Sequence, residues 1–238
     1  AGIHRFGYVW ASNLNGSTGA EYDGNPELIG AVDITSSFSD NSSWSAPIDL
    51  GFKFPFYGKE YEQIYVNNLG GIAMNTGEFA AMSQTPVYPG HTYLNGTGWI
   101  SAWGASVLQM GADSHVSYAK RDGKLVISFS NVLAVVYDQD YTPVSFHIVL
   151  SSNGDIEFYY DNYDPMMVFN QGRTLYVGIS DPDCQDPLTV TSIDMANSEW
   201  ATEEERTVEG DRYMSFATGT AVVLRAPAPD MIENVSPV

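Results

Sequence analysis

The sequence predicts an all-β fold: an antiparallel β-sandwich, jelly-roll-like, with extended N- and C-terminal arms and at most one short helix. Three observations carry that prediction. The chain of 238 residues holds 15 Tyr and 22 Gly and is 13% aromatic, a composition that favours pleated strands and the turns between them. Asp122-Gly123 and Asn153-Gly154 each separate two apolar alternations, the strongest short-range signal for a hairpin. In residues 50–72, Pro55 and Gly58 sit between two apolar runs and Gly70-Gly71 closes the second, which is how a sheet protein turns a corner.

The elements follow in order. Residues 3–10 read as a strand with Phe6, Tyr8 and Trp10 on one face, and 11–27 as a polar, glycine-rich flexible lead. Residues 28–34 form a short apolar run, 35–45 a Ser-rich loop, and 47–54, 61–66 and 71–74 are strands with a turn at 67–70. Residues 76–98 hold Pro86, Pro89, Gly90, Gly96 and Gly98 and read as a long excursion over one end of the sandwich. Strands then follow at 99–103, 115–120, 125–132, 144–150 and 155–160, of which three or four consecutive ones form an antiparallel meander. Further strands are expected at 174–180, 189–195 and 213–224, with a short helix in 198–206, where Ser198 precedes acidic residues. The expected organisation is an N-terminal strand and lead over 1–27, a single sandwich domain over 28–225, and a Pro-rich arm over 226–238.

Composition excludes several functions. The net charge is −19, with 10 Lys and Arg against 29 Asp and Glu, and no basic stripe is present to release counterions from nucleic acid. The lone Cys184 rules out an intramolecular disulfide framework and leaves a free thiol or an intermolecular bridge. No apolar run reaches the ~18 residues of a membrane span. The opening AGIHRFGYVW is not a charged leader followed by an apolar stretch, so the expectation is an extracellular or cell-surface chain whose signal peptide has been removed. N-x-S/T triplets begin at Asn15, Asn41, Asn95 and Asn234, each an acceptor pattern for glycosylation or a chance match in a chain rich in Asn, Ser and Thr.

The stretch 50–72 also carries a pattern: Gly51, Phe52, Phe54, Pro55, Phe56, Tyr57, Gly58, Tyr61, Ile64, Val66 and Gly70. In these positions the chain resembles the nidogen-like extracellular β-sandwich domains of bacterial and archaeal cell-surface proteins, and the resemblance extends over residues 47–180. It implies a structural or adhesive role rather than catalysis.

The search for chemistry agrees with that implication. His4, His91, His115 and His147 lack the spacing of a zinc site. No G-x-S-x-G elbow is present, and Asp155 with Glu157, on one face of a predicted strand, is the one candidate carboxylate pair. Asp181, Asp183 and Asp186, after a predicted strand, supply hard oxygens suited to Ca²⁺, or else cap their own turn; Asp138, Asp140, Asp161 and Asp164 form similar clusters. Tyr88, Tyr93, Trp99 and Trp103 lie in or beside the excursion, where rings stack on sugars or anchor partners, or pack into a core. The leading expectation is a non-catalytic surface subunit whose N-terminal strand, with Ile3, Phe6, Tyr8 and Trp10, completes the sheet of another copy head to tail. The second expectation is an adhesin or carbohydrate-binding module of a larger surface protein that binds glycans or other surface proteins, with calcium in its acidic loops.

Overall fold

The computed structural model describes residues 6–13, 20–24, 28–38, 44–75, 98–104, 108–135, 141–163, 177–182, 188–189 and 218–228. The described strands are β1 (Val9–Ser12), β2 (Val32–Asp33), β3 (Ile48–Phe56), β4 (Lys59–Asn67), β5 (Gly71–Ala73), β6 (Trp99–Ser101), β7 (Leu108–Gln109), β8 (His115–Arg121), β9 (Lys124–Val135), β10 (Tyr141–Ser151), β11 (Ile156–Asn162), β12 (Gly178–Ser180), β13 (Leu188–Thr189) and β14 (Ala221–Arg225). Every pairing between them is antiparallel. They form an eight-stranded sheet in the order β1-β14-β11-β10-β9-β8-β2, with β7 also on β9, and a six-stranded sheet in the order β13-β12-β6-β5-β4-β3. This is the all-β sandwich that the turn chemistry predicts.

The meander β8-β9-β10-β11 is built by its turns. Asp122 and Gly123 take φ of 29° and 75°, the doubly left-handed geometry of a two-residue hairpin. At the next turn Gly154 has φ 92°, and Ser151 N–H bonds Asp155 C=O across a three-residue loop at 3.0 Å. Alternate residues then face inward: Leu125, Ile127 and Phe129 of β9, Phe146, Ile148 and Leu150 of β10, and Ile156, Phe158 and Tyr160 of β11 are all buried. They meet Ile48, Leu50, Phe54, Phe56, Ile64 and Val66 of the smaller sheet in one core, the two-layer solution to burying one face of each sheet.

The glycines of the 50–72 pattern have identifiable tasks. Gly51 (φ 76°) lies in an irregularity where β3 passes from Asp49, opposite Gln63, to Phe54, opposite Tyr61. Asp49 Oδ1 accepts the Gly51 N–H there at 2.6 Å. Tyr57 (φ 48°) and Gly58 (φ 75°) make the two-residue turn between β3 and β4. Gly70 (φ 70°) lets the chain pass beneath Trp103 and Phe146, where a Cβ would come within 2.8 Å of the Phe146 ring.

Two local expectations change. Part of the Ser-rich loop is a 3-10 turn, Thr35–Phe38, begun by Asp33 Oδ1 accepting the Thr35 N–H at 2.8 Å and ended by the buried Phe38. Among the described residues of the expected N-terminal strand, Phe6 to Tyr8 are not strand, as Gly7 takes φ 104°, and β1 begins at Val9; residues 3–5 lie outside the described residues. The helix expected in 198–206 and the excursion 76–97 lie outside the described residues.

Candidate functional site

Four segments distant in sequence converge at one end of the sandwich. β1 lies beside β14 with Val9, Trp10, Ala11 and Ser12 opposite Arg225, Leu224, Val223 and Val222. Asn13 extends the ladder: its amide side chain donates to Gly219 C=O and accepts from Ala221 N–H, both at 2.8 Å. The N-terminal strand therefore pairs with the last described strand of its own chain.

Upstream of the ladder, Phe6 and Tyr8 reach across to the turn of the other sheet. Tyr8 is 1% exposed, with ring centroids 5.2 Å from Tyr57 and 6.3 Å from Phe56. Its hydroxyl accepts the Tyr57 N–H at 3.4 Å. Burial pushes that hydroxyl well above its usual pKa, while the hydrogen bond from Tyr57 opposes the shift. Phe6 lies 5.2 Å from Tyr57 and 5.9 Å from Tyr8, over Gly58. Rings at these spacings gain about 0.5–1.5 kcal/mol per pair beyond their buried area. Between them, Gly7 passes so close to Pro227 that a Cβ would sit 3.0 Å from the Pro227 Cβ.

The exit of β14 is fixed from the other side. Asp155 Oδ1 accepts the Ala226 N–H at 3.0 Å, and its Oδ2 accepts Arg225 Nη1 at 2.7 Å. Arg225 also stands 3.7 Å from Glu157 Oε1. The carboxylate pair seen in the sequence is thus bridged by one guanidinium, an arrangement that holds the end of β14 in place.

The lead after β1 does more than tether it. Ala20 and Leu28 pack on Val126, Val149, Tyr159 and Ala221, a small apolar cluster apart from the main core. Tyr22 donates to Asp161 Oδ1 at 2.7 Å. Asp161 Oδ2 lies 2.8 Å from Nδ1 of His147, a histidine 1% exposed and stacked on Tyr159 at 4.8 Å. His147 is a packed residue in a polar chain, which the sequence does not signal because its partners come from β11 and the lead.

The other residues singled out by sequence are placed as follows. Phe6, Tyr8 and Trp10 all pack on the main core; Ile3 lies outside the described residues. Trp99 and Trp103 are each 1% exposed. Trp99 meets Trp44 edge-on at 6.0 Å, and Trp103 stacks on Phe146 at 6.1 Å. Both indoles are buried; Trp103 belongs to the main core, between the two sheets, while Trp99 packs on Trp44 outside that cluster. Tyr88 and Tyr93 lie outside the described residues, as do Asp183 and Asp186, while Asp181 is half-buried after β12. Among the described residues, no group of three or more His, Cys, Asp or Glu side chains is placed to hold a metal ion, and no helix is long and apolar enough to cross a membrane.

A family model described as NIDO related, that is nidogen-related, matches residues 17–223. No curated protein and no solved structure matches the chain. The family match begins after β1 and ends within β14.

Proposed function

This chain belongs to the NIDO-related family, and we propose that it is a non-catalytic structural subunit of a surface filament or matrix, assembling by donation of its N-terminal strand. The family supports an extracellular structural or adhesive domain. The observation that carries the finer reading is the position of β1. It precedes the family match, yet it supplies the last strand of the larger sheet and pairs over Val9 to Ser12 with the last strand of the match. A strand joined to its sheet only at an edge makes the same hydrogen bonds from a neighbouring copy. Donation from one copy to the next is a head-to-tail contact that need not close, so it yields open polymers.

Deleting residues 1–12 and comparing elution volume and negative-stain images with the full chain tests this. The full chain should give oligomers or filaments, and the deleted chain a soluble monomer. Assemblies of equal length from both would end the reading.

A second reading, adhesion through glycans, is favoured by one feature. The bulged strand β3 and its neighbour β4 border a groove of about 510 Å³ lined by Phe52, Tyr61 and Tyr65 together with Asp49, Glu62 and Gln63. Rings beside amides and carboxylates suit the two faces of a sugar. A glycan panel, with thermal shifts in Ca²⁺ against chelator to address Asp181, Asp183 and Asp186, tests it; silence in both assays counts against it.

A further inference from the structure

We infer that the edge of β14 that β1 covers, together with the aromatic turn of Phe56, Tyr57 and Gly58, is a strand-acceptor site that recognises an aromatic–glycine–tyrosine triplet, supplied by a second copy of this chain in place of the resident strand. The inference rests on the assembly reading above and specifies what that assembly reads.

The division of labour is visible in the resident strand. Val9 to Ser12 contribute main-chain pairing with Val222 to Arg225; Val9 is 41% exposed, so position 9 accepts many side chains, while Trp10 packs on the main core and Ser12 is buried. The sharpest demands fall on the three residues before the ladder. Tyr8 fills the space between the sheets against Phe56 and Tyr57, with its hydroxyl on the Tyr57 N–H. A smaller side chain would leave a cavity there. Phe6 covers Gly58, close enough that a Cβ built there would touch the ring at 3.5 Å, and packs beside Tyr57 and Tyr8. Gly7 is excluded from substitution twice over, by its φ of 104° and by its approach to Pro227. Three adjacent positions thus carry three different demands: a ring, no side chain, and a ring with a hydroxyl. The resident residues 6–8 define the occupant, and a second copy carries the same triplet at the same distance from the same ladder.

The test uses the full chain carrying Tyr8→Ala, whose resident strand has lost its anchor, and a fluorescein-labelled peptide of residues 1–13, read by anisotropy. The unaltered peptide should bind, and peptides carrying Gly7→Ala or Tyr8→Ala should bind about a hundredfold more weakly. A Val9→Thr peptide should bind within about twofold of the unaltered one, since that side chain faces solvent. Equal binding by the altered peptides, or no binding by the unaltered one, overturns the inference. Should Tyr8→Ala unfold the chain, the unaltered full chain incubated with excess peptide should exchange its strand for the peptide slowly and with the same preference; indiscriminate or absent uptake overturns it equally. The two proposals fail separately. Peptide recognition in a chain that stays monomeric at every concentration ends the assembly reading alone. Oligomers that persist in full chains carrying Gly7→Ala and Tyr8→Ala end the triplet inference alone.

Discussion

β3 and β1 each end a sheet, and they do so in different ways. β3 is guarded along its length: a bulge around Gly51 breaks its ladder, Lys53 places a charge on it and Pro55 removes a donor, three devices that discourage a further strand. Its position is set locally, by the turn at Tyr57 and Gly58. β1 has none of these devices in Val9, Trp10, Ala11 and Ser12, and its position is set by partners more than two hundred residues away. One edge is built to stay an edge. The other has been covered by a strand, and the cover is the only part of that edge a neighbouring copy could replace.

Substitutions in the two regions should therefore differ in reach as well as size. The largest effect is expected for Gly70→Ala, in the turn between β4 and β5 of the sheet that β3 ends. Its Cβ would collide with Trp103 and press on Phe146 at a left-handed φ, so overpacking and backbone strain add to about 4 kcal/mol. Chemical denaturation should show the loss, with both sheets affected. Tyr8→Ala should cost about 3 kcal/mol through its emptied pocket. Here the damage should be confined: hydrogen exchange should rise in residues 9–12 and 222–225 while β9 and β10 keep their protection. Gly58→Ala meets no close neighbour except the Phe6 ring, so strain alone should cost about 1–2 kcal/mol.

Alkaline pH sharpens the comparison further. Tyr8 and Tyr160 are buried and hold their hydroxyl pKa values above the usual 10. A folded-state value above the unfolded one contributes stability below the unfolded value, and that contribution is lost as pH rises past 10 toward the folded value. Melting temperature should therefore fall above roughly pH 10. Tyr8→Phe should flatten that fall by about 1 kcal/mol per pH unit near the start, the share of one group. The smallest effect is expected at Lys53, whose ion pair with Glu60 is exposed on both sides. Lys53→Ala should leave the melting temperature unchanged and act only on self-association at the β3 edge.

The same contrast separates what the sequence reveals from what it conceals. The hairpins at Asp122-Gly123 and Asn153-Gly154 are legible because the residues that need positive φ lie next to each other in the chain. The strands at 115–120, 125–132 and 144–150 stand close to the observed ones for that reason. The neighbour of β1 is not legible, because nothing local to Val9 or to Arg225 encodes their pairing. Trp99 and Trp103 sit beside a Gly- and Pro-rich stretch, where the residue pattern is compatible with a sugar platform as well as with core packing, and the structure buries both rings. The bond between Tyr22 and Asp161 joins a segment of loop composition to the sixth residue of β11, so composition alone gives a tether where the structure has a docked lead.

The central claim is that β1 completes the sheet of another copy, and a cross-link in the ladder tests it most directly. Ala11 lies opposite Val223, and directly opposed residues of an antiparallel pair bring Cα atoms to about 4.5–5.5 Å, within disulfide range. A chain carrying Ala11→Cys and Val223→Cys, with Cys184→Ser, is oxidised at assembly concentration and run on a non-reducing denaturing gel. The account predicts a ladder of covalent multimers that collapses to one band on reduction. Complete oxidation to a monomer band alone would mean that β1 serves only its own chain.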